Sequence, residues 1–173
     1  MGKSDKLSFY VKTPLIFVQE SFSNSIEIFE QVYEHALELG WVRSDFLERI
    51  KQREETFPTG IQLEKFGAAI PHTDAECILT EFVAVITNKE PVQFTSMEDK
   101  NKKVNTDVIF ILGLNQPHAQ LEMLQSLMKL LQNDNILEEV LTAKDSEQLL
   151  YACLLYTSPS PRDRSVSRMP SSA

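Results

Sequence analysis

The run DVIFILGL (residues 107–114) constrains the fold most. After Asp107 it is apolar at nearly every position rather than at alternate ones. A strand with one wet face alternates, whereas a strand covered on both faces does not. Such a strand needs helices above and below it, which points to an α/β layered architecture.

The rest of the chain supplies those layers. LIFVQE (residues 15–20) reads as a short strand with Pro14 at its start. Asn24 and Glu27 form a capping-box pattern ahead of apolar Ile26, Phe29, Val32, Tyr33, Ala36 and Leu37, an amphipathic helix that Gly40 stops. A second helix starts near Ser44 or Asp45, carries Phe46, Leu47 and Ile50, and ends before Pro58. FPTGIQL (57–63) is a turn-bearing connection, FGAAI (66–70) a strand stopped by Pro71, EFVAVIT (81–87) a strand and PVQF (91–94) a shorter one. MEDKNKKVNT (97–106) is a charged hairpin or loop. A helix from about Pro117 puts Leu121, Leu124, Leu127, Met128 and Leu131 on one side. NDNILEEVLTA (133–143) forms a short helix, and Asp145 with Gln148 caps a last one. Residues 1–7 are polar and expected to fray. The prediction is one α/β domain over residues 1–152, with a mixed central β-sheet flanked by helices and no internal repeat.

Composition excludes several classes of partner. The chain has 173 residues, 42% apolar and 24% charged, the balance of a globular domain. Its net charge of −8 argues against nucleic acid or an anionic membrane surface as partner. No apolar run reaches the roughly 18 residues that a spanning helix needs, and no basic-then-apolar leader opens the chain. Cys77 and Cys153 form neither a disulfide framework nor a metal-ligand pair. A reducing cytoplasm is the simplest compartment.

Composition changes abruptly at Cys153. CLLYTSPSPRD (153–163) and SRMPSSA (167–173) resemble in-frame translations of the two ends of a transposase-type sequencing-library adapter, with RSV between them as a sample index. Residues 153–173 are therefore expected to be a non-native, disordered tail that cuts the last helix short. The tail holds three arginines and one aspartate, so without it the charge moves from −8 to −10.

Of the three histidines, His35 sits on the polar side of the first helix and His118 in the first turn after Pro117. Both read as surface residues, although a helix N-terminus can help bind anions. His72 differs, because it stands just past a strand end, behind the fixed φ of Pro71, where open α/β sheets place ligand crevices. A structural, hydrogen-bonded histidine explains it about equally well on local pattern. No second histidine is near in sequence, no phosphate loop or dinucleotide fingerprint is present, and a nucleophile pair with Cys77 is only weakly indicated. Imidazole can also be the nucleophile itself, with one ring nitrogen attacking while the other donates a hydrogen bond. Cations or hydroxyls must then hold the phosphoryl oxygens, and Arg53 and Thr59 are candidates.

The stretch REETFPTGIQLEKFGAAIPHTDA (53–75) resembles the active-site region of the fructose/mannitol-type enzyme IIA of the bacterial phosphoenolpyruvate-dependent sugar phosphotransferase system. The pattern is Arg53-Glu54, Pro58-Thr59-Gly60 and Ala69-Ile70-Pro71-His72, and the likeness runs from about Phe9 to Ala152. It implies the mannitol-type enzyme IIA fold and a phosphotransferase that needs no cofactor and no metal. It implies that His72 is phosphorylated on Nε2 by the carrier protein HPr and passes the group to a cysteine of a cognate enzyme IIB. Arg53 would neutralise phosphoryl charge and Thr59 would shape the pocket. Ile61, Leu63 and Phe66 would form the docking surface around it. Many relatives carry a second histidine where this chain has Gln120, two residues after His118. An amide can donate a hydrogen bond to phosphate but does not titrate near neutral pH. That glutamine, together with FPTGI and the short TNK, resembles the galactitol-type branch. A stand-alone regulatory domain of the same fold is the alternative.

Overall fold

The structure, a computed structural model, describes residues 7–156. Its centre is a five-stranded sheet in the order β1-β4-β5-β3-β2. In chain order the elements are α1 (Leu7–Tyr10), β1 (Val11–Glu20), α2 (Ser25–Leu39), α3 (Phe46–Thr56), β2 (Gly60–Gln62) and β3 (Gly67–Ala69). A 3-10 turn (Ala75–Cys77) leads to β4 (Phe82–Thr95), β5 (Lys103–Gly113), α4 (Pro117–Leu131), α5 (Asp134–Thr142) and α6 (Ser146–Tyr156). β1 runs parallel to β4, β4 antiparallel to β5, β5 parallel to β3 and β3 antiparallel to β2, so the sheet is mixed as expected.

β5 is covered on both faces. Val108, Phe110 and Leu112 pack into one cluster with α4, α5 and α6, while Ile109 and Ile111 pack into another with α2 and α3. β4 divides in the same way, with Val83 and Val85 to one side and Ala84 and Ile86 to the other. Two helical layers therefore sandwich the sheet.

The helix ends follow their sequence signals. The Asn24 side chain accepts from the Glu27 N–H at 3.0 Å, and the Ser23 N–H donates to Glu27 Oε1 at 2.8 Å. Gly40 terminates α2 with φ +77°, a left-handed conformation that costs glycine little. The Gln148 N–H donates to Asp145 Oδ1 at 2.8 Å at the start of α6.

Several expectations need correction. β1 begins at Val11, and Pro14 sits inside it, where the register shifts between Val11 and Ile16. An edge strand tolerates proline because the missing N–H need not join a ladder. EFVAVIT and PVQF are one strand, β4, with an irregularity between Thr87 and Val92. There Asn88 Nδ2 donates to the Thr106 carbonyl at 3.0 Å and Thr106 Oγ1 donates to the Val92 carbonyl at 2.6 Å, replacing ladder bonds around Pro91. The charged segment is a loop only to Lys102, after which β5 begins. FPTGIQL contains β2, paired through Gly60↔Ala69 and Gln62↔Gly67.

Side-chain faces shift too. Ile28 lies in the core of α2, whereas Ile26 and Leu37 are exposed. In α4, Met123, Leu127, Leu130 and Leu131 are buried and Leu121 is exposed. Leu7, expected to fray, is buried by α1, while residues 1–6 lie outside the described residues. The expected disorder from residue 153 onward does not hold for its first residues. α6 continues to Tyr156 and Cys153 is fully buried, because an apolar side chain at that position completes the seam with Leu149 and Ala152. Residues 157–173 lie outside the described residues.

Candidate functional site

β3 ends at Ala69, and the next three residues set the site. The Pro71 carbonyl accepts from the Leu112 N–H of β5 at 2.9 Å, and His72 bridges Leu112 in parallel register. The backbone is thus fixed on both sides of the imidazole, by the proline ring and by the sheet. His72 Nδ1 stands 3.1 Å from the Ile70 carbonyl. A carbonyl only accepts, so this bond places the ring proton on Nδ1 and leaves the lone pair on Nε2. Burial lowers the His72 pKa below its ordinary 6.5; the Ile70 bond opposes that shift and the Arg53 charge adds to it. The ring is therefore neutral at neutral pH, with Nε2 available as a nucleophile.

Helix α3 supplies the cations. Arg49 and Arg53 are four residues apart and share a helix face. Arg53 Nη1 stands 3.7 Å from Asp74 Oδ1, its guanidinium lies 5.2 Å from the centre of the Phe57 ring, and its Nε is buried without an acceptor. Arg49 Nη1 meets Asp74 Oδ2 at 2.6 Å, and its other nitrogens reach Asp45 at 2.8 Å and Glu76 at 3.3 Å. A cleft of about 190 Å³ opens between Arg49, Gln52, Arg53, Thr56, Phe57 and Asp74.

Thr59 is buried and its hydroxyl is directed at Glu54, with the Thr59 N–H at 2.8 Å and Oγ1 at 2.9 Å from the two carboxylate oxygens. These bonds clamp the end of α3 to the start of β2. Burial pushes the Glu54 carboxyl up to about 7, against the two Thr59 hydrogen bonds. Ile61, Leu63 and Phe66 are half-buried against the core beneath the β2–β3 hairpin and keep part of their surface outward. Gln120 is half-buried in the first turn of α4, the helix that leaves the strand pairing with His72. His118 is exposed and pairs with Glu122 at 2.9 Å. Cys77 is no partner for His72, because its Sγ donates to the Asp74 carbonyl at 3.1 Å and burial raises the thiol to about 11. Among the described residues no group of three or more His, Cys, Asp and Glu side chains is placed to hold a metal ion.

The fold brings the Arg53 charge close enough to act on His72. It also adds Arg49, Asp74 and Glu54, to which sequence reasoning gave no role. The available signals were an i, i+4 arginine pair on one helix and an acid two residues after the histidine.

Residues 9–154 match the family described as phosphoenolpyruvate-dependent sugar phosphotransferase system, EIIA 2. The galactitol-specific EIIA component of the phosphotransferase system of Escherichia coli K12 is 28% identical over 138 residues, covering 80% of this chain and 88% of that protein. The crystal structure of the mannitol IIA from Escherichia coli superposes with a TM-score of 0.67 at 18% identity, covering 83% of this chain and 98% of that one. The Escherichia coli mannitol enzyme IIA solved in complex with phosphorylated enzyme IIB gives a TM-score of 0.66 at 19% identity, covering 83% and 96%. These two likenesses show a shared fold.

Proposed function

We propose that this chain, which belongs to the phosphoenolpyruvate-dependent sugar phosphotransferase system EIIA 2 family, is a phosphoryl carrier that works through His72. The observation that carries the reading is the 3.1 Å contact of Nδ1 with the Ile70 carbonyl, which leaves the Nε2 lone pair for attack. In the first step Nε2 attacks the phosphorus of phosphorylated HPr. The P–N bond to the donor imidazole breaks, and its electron pair stays with that ring. In the second step a cysteine thiolate of enzyme IIB attacks the same phosphorus, and the Nε2–P pair returns to His72.

Arg53 stabilises the charge on the transferring group, using donors that Asp74 leaves unspent. The Gln120 amide adds a hydrogen bond to a phosphoryl oxygen, and Thr59 acts through Glu54. Ile61, Leu63 and Phe66 offer apolar contact to both protein partners in turn. The work is cytoplasmic, and the transported sugar is galactitol, a choice that rests on the galactitol-specific relative.

Incubation of residues 1–156 with phosphoenolpyruvate, enzyme I and HPr tests the reading. Acid-labile, base-stable phosphate is expected on the wild type and none on His72→Ala. Equal labelling of the two, or none on folded wild-type protein, overturns it. Transfer onward to the galactitol enzyme IIB, and not to a mannitol or fructose one, tests the sugar.

A further inference from the structure

Asp74 is placed between two arginines at unequal distances. Arg49 holds it at 2.6 Å, a charge-assisted hydrogen bond, whereas Arg53 stands 3.7 Å away, beyond hydrogen-bond reach. Arg49 is itself anchored on α3 by Asp45 at 2.8 Å and draws in Glu76 at 3.3 Å; Asp45 also faces Arg43 at 3.7 Å. Arg53 is left with a buried Nε that has no acceptor. Arg49, Arg53 and Asp74 line one cleft, and Asp74 follows His72 by two residues.

We propose that Arg49 is a positioning residue that holds the Asp74 carboxylate off Arg53 and so keeps Arg53 free for the phosphoryl group on His72. The inference rests on the carrier reading above. A carboxylate and a phosphoryl group compete for the same guanidinium, because both present paired anionic oxygens to its fork. Asp74 is tethered on the segment that carries His72, so it competes intramolecularly and at high effective concentration. With Arg49 present, Asp74 has a better partner. Without Arg49, the nearest cation to Asp74 is Arg53, and closing the gap takes about an ångström of side-chain movement. The phosphoryl group would then have to displace a formed ion pair. Every member of the cluster is partly exposed, so solvent screens the effect and keeps it moderate.

The test compares wild type, Arg49→Gln and Arg49→Gln/Asp74→Asn. Two readouts are taken: single-turnover phosphorylation by saturating phosphorylated HPr, and the Arg53 Nε–H resonance in the unphosphorylated proteins. Arg49→Gln is expected to slow the transfer step about tenfold and to shift the Arg53 resonance. The double variant is expected to recover to within about threefold of wild type and to return the resonance toward its wild-type position. A wild-type rate in folded Arg49→Gln, or a double variant as slow as the single, overturns the proposal, since a purely structural loss is not repaired by removing Asp74. Asp74→Asn alone covers the case in which Arg49→Gln does not fold. Because Asp74 is already held off Arg53 in the wild type, the Arg53 resonance of this variant is expected to stay near the wild-type position and its transfer rate within about threefold of wild type. A large shift of that resonance, or a transfer step about tenfold slower, overturns the proposal. If wild type takes no label but the resonances respond as stated, the carrier reading fails and the Arg49–Asp74–Arg53 arrangement is supported.

Discussion

Glu54 shows how one side chain ties stability to the site. Its carboxyl is raised from an ordinary 4.5 to about 7, mainly by burial. Between those values the folded chain holds a proton that the unfolded chain has released. Its contribution to stability is therefore fully present below pH 4.5 and is lost as pH rises toward 7. Glu54→Gln removes that titration. Urea unfolding of the variant is expected to lose the decline that wild type shows between pH 4.5 and 7, a difference of up to about 3 kcal/mol. A parallel decline in both proteins would show that another group titrates. His72 was legible as a residue because Pro71 precedes it and a strand ends there. The Glu54 role was not, because nothing in an Arg-Glu pair says that the carboxylate turns inward to Thr59, five residues on.

At the scale of elements, β3 is three residues long, and its grip on β5 decides where His72 stands. Gly67 makes that grip close. A Cβ there would run into the backbone carbonyl of Asn105 on β5, which cannot swing aside as a flexible side chain could. Gly67→Ala is expected to cost about 1–3 kcal/mol, read as a lowered urea midpoint, and to slow labelling of His72 as β3 shifts. An alanine variant with an unchanged midpoint would contradict the close approach. Sequence periodicity located α2, α3 and α4 but chose the wrong rim residues in two of them, taking Ile26 and Leu121 for core. Periodicity fixes the existence of an apolar face, while its centre depends on what the helix packs against. β4 was read as two strands for a similar reason. Pro91 signals a break locally, and the Asn88–Thr106–Val92 bonds that carry the strand through it span up to 18 residues.

For the whole molecule, the C-terminal helix closes one of the two cores. Cys153 packs with Leu149, Ala152, Leu137 and Val140 at full burial. A chain ending at Ala152 is expected to be about 1–2 kcal/mol less stable than one ending at Tyr156, measured by urea unfolding. Equal stabilities would place Cys153 outside the cooperative core. The sequence by itself determined the layered α/β architecture, through the unbroken apolar run of β5, and the starts of α2 and α6, through capping residues whose bonds span three or four positions. It also singled out His72 as the candidate, since the proline and the strand end that hold it are its immediate neighbours. The tertiary structure alone decided what surrounds that histidine. Arg49 and Asp74 are 25 residues apart, and Leu112 reaches Pro71 from another strand. Contacts of that separation carry no local pattern, because they exist only once α3 has docked and β3 has paired with β5.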